Sequence, residues 1–170
     1  QLVLAAAAAR GVAPDFASAQ ASQLHAIGVE LLPSRHAVAV AALAAAPLLL
    51  RASCELLCGD ALSIDLSKAT KVWLCNTAFP ASLTQAFAEA LAPERAPNLK
   101  RLATGARLSN LAMEAGSLAL RGVAAIETSW SQTGTAIFLY ERRQGAGAEC
   151  SEANLAAMIH EALGEEFLEP

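Results

Sequence analysis

Residues 24–36 read LHAIGVELLPSRH, and this stretch decides the fold class. Its apolar first half predicts a buried strand over residues 24–30 that ends on an acid, Glu30. Pro33 has the fixed φ that suits the first turn of a helix, so a helix is expected from about Pro33 to Leu50. Because a strand that leads directly into a helix is the repeating unit of a parallel α/β sheet, the sequence predicts an α/β fold.

Beyond this unit, strands and helices alternate along the chain, and the sheet is predicted to end in an antiparallel hairpin. Two β-prone runs, at 121–130 and 135–142, flank the turn residues Ser-Gln-Thr-Gly, which is the pattern of a hairpin. The other predicted elements are a helix over 1–10, strands over 52–58, 71–76 and 106–112, and a helix over 81–92.

Composition excludes several classes of protein. The 170 residues are 55% hydrophobic and only 16% charged, so an extended disordered chain is excluded. The net charge of −4 argues against a protein that holds nucleic acid by its phosphates. The longest apolar run, 37–50, is too short for a bilayer span and carries Pro47, so we interpret it as a buried helix and expect no membrane association.

The four cysteines predict neither a disulfide framework nor a zinc site. Cys54 and Cys58 are four residues apart in an apolar segment, no Cys-x-x-Cys occurs, and the three histidines are scattered along the chain. Free cysteine is among the most buried residue types. We therefore expect buried, reduced thiols and no metal.

Polar residues follow three of the predicted strands, at the ends where ligands bind in doubly wound sheets. Glu30 could accept hydrogen bonds from a ribose diol, or it could be an exposed acid at a helix entry. Asp60, in the pair Gly59-Asp60, could take the exocyclic amino group of an adenine while Ala61 offers its backbone N–H; alternatively the pair is a simple turn.

The third strand end, in WLCNTAFP at 73–80, delivers Cys75 and Asn76 to the same edge of the sheet. A neutral amide beside an aromatic side chain can orient an amine without protonating it, which suits alkyl transfer, and Phe79 could line the channel. The structural alternative is that Asn76 caps the helix after Pro80 and that Phe79 belongs to the core. Glu30, Asp60 and Asn76 are expected to converge on one mouth.

Together these runs resemble the disruptor-of-telomeric-silencing family, the non-SET histone lysine methyltransferases. The resemblance covers about residues 1–143 and rests on the runs IGVELLPSRHA, LLCGDAL, ATKVWLCNTAFP, LATGARL and TSWSQTGTAIFLYERR. It implies a Rossmann-like class I methyltransferase sheet with a C-terminal antiparallel hairpin. The remaining residues are interpreted as a linker over 144–150 and a C-terminal helix and tail over 151–170.

The resemblance implies that S-adenosylmethionine is the methyl donor and that a protein lysine, in the family a histone lysine in the nucleus, is the acceptor. Glu30 would hold the ribose, and Asp60 with Ala61 would hold the adenine. The remaining family positions are Gln1 at the start of the first helix, Cys75 and Asn76 at the reacting edge, and Phe79 and Trp130 in the channel wall.

The sequence departs from the family pattern in four ways. The strand and glycine loop of type D-x-G-x-G-x-G, which precede the first helix in the family, do not occur in these residues, and neither does the N-terminal lid. Cys75 replaces the first of two asparagines, Ala61 replaces a phenylalanine, and there is no lysine-rich tail. Since the missing strand lies in the middle of the family's sheet, the strands at 24–30 and 71–76 are expected to flank an unfilled position or to collapse together.

Three other functional hypotheses were weighed against this one. The chain could be a degenerate, non-catalytic copy that acts as an interaction module, or a methyltransferase of another amine. A nicotinamide-binding Rossmann domain would also place an acid after its second strand. The edge at 73–80 and the terminal hairpin favour a methyltransferase over that last hypothesis.

Overall fold

The computed structural model describes residues 25–128 and 131–143. The chain is mixed α/β and divides into two compact units, with the boundary between Ile64 and Asp65. The first unit holds β1 (Ala26–Glu30), α1 (Pro33–Ala44), α2 (Leu48–Ser53), β2 (Cys54–Cys58) and a 3-10 turn (Ala61–Ser63). The second holds β3 (Lys71–Leu74), α3 (Ala81–Ala90), β4 (Arg101–Thr104), α4 (Asn110–Ala115), β5 (Leu118–Thr128) and β6 (Ser131–Arg142).

The first unit is a parallel strand pair joined by helices. β1 and β2 pair in parallel from Ala26 opposite Cys54 to Glu30 opposite Cys58, as the sequence predicted. The single helix expected over 33–50 is instead two helices, and Pro47 stands at the N-cap of the second. Proline lacks an N–H and its ring clashes with the carbonyl four residues before it, so one continuous helix cannot pass through this position.

The second unit contains a four-stranded sheet in the order β3-β4-β6-β5. β3 and β4 are parallel, and β6 pairs antiparallel with both β4 and β5, which confirms the terminal hairpin. The predicted turn at 131–134 is wrong, because these residues already belong to β6, next to a register irregularity at Ile126–Thr128. Within the described residues β1 and β3 belong to different sheets and do not pair, so the expected arrangement of these two strands stays a prediction.

The strand predicted at 106–112 is wrong. The strand lies earlier, at β4, and residues 110–115 form α4 instead. Leu102 and Thr104 alternate with more exposed neighbours and are almost fully buried, which is the pattern of a strand packed on one face. Ser109 caps α4, because its hydroxyl accepts the Ala112 N–H at 3.1 Å.

One apolar cluster forms the core of the second unit. α3, α4 and one face of the sheet bury it, with the lone tyrosine of the chain, Tyr140, 1% exposed at its centre. Among the described residues of the first unit, 25–64, Ala39 is the one apolar residue that is buried. The buried members of the cluster are Ala88, Leu91, Ala96, Leu99, Leu102, Leu108, Ala112, Leu118, Leu120 and Tyr140.

Arg142, at the end of β6, ties the loops of this unit together. Its Nη2 donates to the carbonyls of Leu91 and Ala96, both at 2.8 Å, and its Nη1 donates to the Gly116 carbonyl. Leu91 and Gly116 directly follow α3 and α4, so the guanidinium satisfies carbonyls that helix ends leave without partners. Burial lowers the pKa of Arg142 below its ordinary value, partly offset by the charge of Glu94.

The cysteines are reduced where the structure describes them, but their burial differs from the prediction. Cys54 and Cys75 are half-buried, whereas Cys58, at the end of β2, is exposed. Among residues 25–128 and 131–143 there is no cluster of histidine, cysteine and acidic side chains that could hold a metal. No helix in the described part of the chain has the length and hydropathy needed to cross a bilayer.

Candidate functional site

Glu30 lies at the carboxyl end of β1 and is only 5% exposed. Its Oε1 accepts the backbone N–H of Leu32 at 2.9 Å, across the short link between β1 and α1. This hydrogen bond lowers the pKa of Glu30 below its ordinary value; burial opposes the shift and the charge of Arg35 adds to it. The predicted exposed acid at a helix entry is therefore wrong, since Glu30 is a buried carboxylate that stays ionised at neutral pH.

Asp60 lies at the same edge of the strand pair. Gly59 follows β2, and its N–H donates to the Glu30 carbonyl at 3.0 Å. Asp60 is the next residue, so it lies beside the end of β1. The Asp60 Oδ1 accepts the Leu62 N–H at 2.9 Å and caps the 3-10 turn that begins at Ala61. Asp60 is exposed and Ala61 is half-buried, so both can meet a ligand from solvent.

The edge at the end of β3 is built differently from the prediction. Asn76 is 2% exposed, and its amide forms two hydrogen bonds with one peptide unit: Nδ2 donates to the Ala106 carbonyl at 3.2 Å and Oδ1 accepts the Ala106 N–H at 2.8 Å. The helix cap proposed as an alternative is wrong, because no side chain caps α3, whose N-cap is Pro80. Asn76 instead joins the segments that follow β3 and β4.

Three further contacts hold the loop at 105–108, after β4. The Gly105 N–H donates to the Leu74 carbonyl at 3.1 Å, and the Thr104 hydroxyl donates to the Ala106 carbonyl at 2.7 Å. The Tyr140 hydroxyl accepts the Leu108 N–H at 2.9 Å. The backbone of this loop is therefore fixed on both sides of Arg107, at the edge that also carries Asn76.

Phe79 packs against Phe87 of α3, and its predicted place in the channel wall stays a prediction. Its ring stacks on Phe87, with centroids 5.6 Å apart and planes 23° apart, and it is half-buried. Cys75 is half-buried beside Asn76. Gln1 and Trp130, which the resemblance places in the donor site and the channel wall, lie outside the described residues, as do the linker at 144–150 and the C-terminal helix.

The structure brings Glu30 and Asp60 together in the first unit and leaves the convergence with Asn76, in the second unit, as a prediction. Sequence reasoning missed Thr104, Ala106 and Tyr140. A backbone peptide such as that of Ala106 leaves no signal in a sequence. Tyr140 did leave one, because a lone tyrosine in an apolar strand needs a partner for its hydroxyl when it is buried.

Comparison with known protein-family models and with curated protein sequences gave no match to this chain.

Proposed function

We propose that the protein is an S-adenosylmethionine-dependent methyltransferase that acts on an amine, with a protein lysine as the acceptor class that its sequence resemblance implies. The observation that carries this proposal is the edge of the first unit, where a buried carboxylate, Glu30, and an exposed carboxylate, Asp60, follow two parallel strands. Carboxylates at the ends of adjacent parallel strands are suited to bind a nucleoside.

Glu30 fits the ribose. A charged oxygen acceptor forms stronger hydrogen bonds than a neutral one, and a diol offers two hydroxyl donors to one carboxylate. The Leu32 N–H fixes the orientation of this carboxylate and keeps it ionised at neutral pH. A preset, ionised acceptor loses little rotamer entropy when a ligand binds.

Asp60 and Ala61 fit the adenine. One oxygen of Asp60 holds the 3-10 turn through Leu62, and its Oδ2 can accept a hydrogen bond from an exocyclic amino group. Ala61 is the first residue of that turn, where the N–H takes no part in the turn's own hydrogen bonding, so it can donate to a ring nitrogen. Ala61 offers less area for stacking than a phenylalanine, so a weaker nucleoside affinity is expected.

S-adenosylmethionine, when bound, supplies a methyl group on a sulfonium, and the attacking amine need only be neutral. The chain therefore needs no side chain as a general base. It needs a rigid, dry edge that orients the amine and favours its neutral form. Asn76, nearly inaccessible to solvent and held at both ends of its amide, supports this role as a fixed element of the edge.

The strand order of the second unit also supports a Rossmann-like sheet. A parallel pair, β3 and β4, is extended by an antiparallel hairpin whose second strand, β6, inserts next to β4. The hairpin that the family resemblance implies has this antiparallel character.

One observation favours the second hypothesis, a non-catalytic interaction module. Both polar ends of the Asn76 amide are used by the Ala106 peptide, so this side chain can serve packing alone. The two hypotheses differ in one measurable property, the transfer of a methyl group to an amine.

The test is transfer of labelled methyl from S-adenosylmethionine by the protein, with histones, lysine peptides and small amines as acceptors. We expect transfer to a lysine-bearing acceptor, reduced at least tenfold in the Glu30→Gln variant. Glu55→Gln is the matched control, since Glu55 is an exposed acid in β2 and the charge change is identical. Absence of transfer to every acceptor, with the donor bound, would favour the interaction module.

A further inference from the structure

We propose that the acidic segment, residues 149–170, docks on the outer face of the four-stranded sheet in the second unit. The acidic segment lies outside the described residues, and the outer face is the side of β3, β4, β6 and β5 that points away from the core cluster. Alternation along the strands identifies this face. Leu102, Leu120 and Tyr140 are buried in the cluster, so the residues next to them in each strand face the other way. The docking needs no ligand of the methyltransferase reaction.

A row of charged residues crosses the outer face. Lys71 of β3 lies opposite Arg101 of β4, and Arg101 lies opposite Glu141 of β6. Arg121 of β5 reaches the same carboxylate, because Glu141 accepts Nε of Arg101 at 3.3 Å and Nε of Arg121 at 3.5 Å. The three basic residues are all exposed. One carboxylate therefore faces three cations, and the row keeps an excess of positive charge.

An apolar row lies next to the charged one. Trp73, Ala103 and Leu139 are in register across β3, β4 and β6, opposite Gly122 in β5. Trp73 is half-buried, Leu139 is 40% exposed, and Ile126, on the same face farther along β5, is 42% exposed. A sheet face that meets only water carries polar residues at such positions. Exposed apolar residues beside a charged row are instead typical of a surface that binds another part of a protein.

The acidic segment has the complementary composition. It carries six glutamates and neither lysine nor arginine, whereas the net charge of the whole chain is only −4. Its apolar residues follow the spacing that forms one stripe on a helix, at Leu155, Met158, Ile159 and Leu163. An apolar stripe among carboxylates therefore matches an apolar row beside a basic row.

The connection between the sheet and the acidic segment is long enough for this docking. β6 ends at Arg142, directly after Glu141 of the charged row. The stretch 143–150 can span about 26 Å when extended, whereas four strands spaced about 4.8 Å apart are only about 14 Å wide. A short tether also gives the segment a local concentration on the order of millimolar. The chain's own segment is therefore favoured over a separate acidic peptide of equal affinity.

Trp73 reports on the docking, because it lies in the apolar row. In a Trp130→Phe background it is the one tryptophan of the chain, and acrylamide quenching of its fluorescence measures its access to solvent. We expect the face variant, Lys71→Glu with Arg121→Glu, to raise the quenching constant about twofold or more, since like charges then face the segment. The segment variant, Glu161→Lys with Glu165→Lys, should have the same effect.

Arg95→Glu with Arg107→Glu is the matched control, because it reverses two exposed positive charges that follow α3 and β4 and lie outside the charged row. This control should leave the quenching constant unchanged. The variant that combines the face and segment substitutions restores opposite charges across the interface, so its quenching constant should return close to the starting value. Circular dichroism checks that each variant is folded.

Unchanged quenching in both the face and the segment variants would overturn the docking, as would an additive increase in the combined variant. Dilution tests whether the segment belongs to the same chain. Quenching that is independent of protein concentration supports docking within one chain. Quenching that rises on dilution, with a dimer in sedimentation, would instead place the segment of a second copy on the outer face and overturn the assignment.

Discussion

Asn76 and Ala106 are thirty residues apart in the chain and are joined by two hydrogen bonds, from Nδ2 to the Ala106 carbonyl at 3.2 Å and from the Ala106 N–H to Oδ1 at 2.8 Å. The Asn76 side-chain amide therefore pairs with the Ala106 peptide through one donor and one acceptor, as a backbone peptide of a neighbouring strand would. The segments after β3 and β4 are therefore locked to each other at the carboxyl ends of both strands.

Replacement of Asn76 by alanine is expected to lower the free energy of unfolding by about 2 kcal/mol, because the half-buried Ala106 N–H loses its acceptor. Urea denaturation followed by circular dichroism measures this. Asn98→Ala is the control: the Asn98 amide donates to the Ser67 carbonyl at an exposed site, and its loss should matter by less than about 1 kcal/mol. Equal effects of the two variants would show that the pair with Ala106 is not important for stability.

Gly105 permits the close approach of the same two segments. A Cβ added there would lie 2.9 Å from Cγ2 of Thr77. We expect Gly105→Ala to destabilise the protein by about 1 to 3 kcal/mol, because the Thr77 side chain or the segment that carries it must shift to make room. The double variant with Thr77→Ser, which removes that methyl group, should recover most of the loss, as a double-mutant cycle in thermal or urea unfolding will measure. Simple additivity of the two substitutions would mean that this contact is not the cause.

Arg142 offers the largest predicted effect on stability in the second unit. Replacement by methionine keeps the aliphatic stem but leaves the carbonyls of Leu91, Ala96 and Gly116 without their charged donor. The expected loss is roughly 3 kcal/mol or more. Arg121→Met provides the comparison, because an exposed ion pair such as that of Arg121 with Glu141 contributes less than about 1 kcal/mol. A loss at Arg142 no larger than at Arg121 contradicts this account.

The pH dependence of stability tests the environment of Glu30. Its pKa lies below the ordinary value of 4.5 in the folded protein, chiefly because of the Leu32 N–H. The unfolded chain therefore binds the proton more tightly, so the contribution of Glu30 is fully present above pH 4.5 and is lost as the pH falls through the lower, folded pKa. Chemical denaturation of wild type and Glu30→Gln between pH 7 and pH 3 should show a stability difference that shrinks toward acid. A difference independent of pH, or one that grows on acidification, would have the wrong sign; Glu55→Gln provides the baseline.

The parts of the fold that the sequence predicted are those set by local chemistry. Apolar runs that end on Glu30 and Cys58 gave a parallel pair, and Pro80 set the start of α3. The strand predicted at 106–112 was wrong because ARLSNLA has strand-like alternation. The real β4 is only four residues long, and what marks it as a strand is the burial of Leu102 and Thr104 in the folded protein. Short strands in a sheet depend on their neighbours more than on their own composition.

The candidate site was predicted in the same uneven way. A carboxylate after a strand is visible in sequence, so Glu30 and Asp60 were found. The partner of Asn76 was not, because a peptide group can belong to any residue. The fixed backbone of the loop at 105–108 follows from contacts made by Asn76 and Tyr140, which are distant from it in sequence and belong to no motif that points to this loop.

The central claim is that the edge formed by Glu30 and Asp60 binds the nucleoside part of a methyl donor. Calorimetric titration of the protein with S-adenosylmethionine tests it most directly, in the wild type, Glu30→Gln, Asp60→Asn and the control Glu55→Gln. The account predicts binding by wild type and by Glu55→Gln with equal affinity, and a loss of about tenfold or more in Glu30→Gln, the size of a charge-assisted hydrogen bond. Binding that is indifferent to both Glu30 and Asp60, or no binding by the wild type, would contradict it.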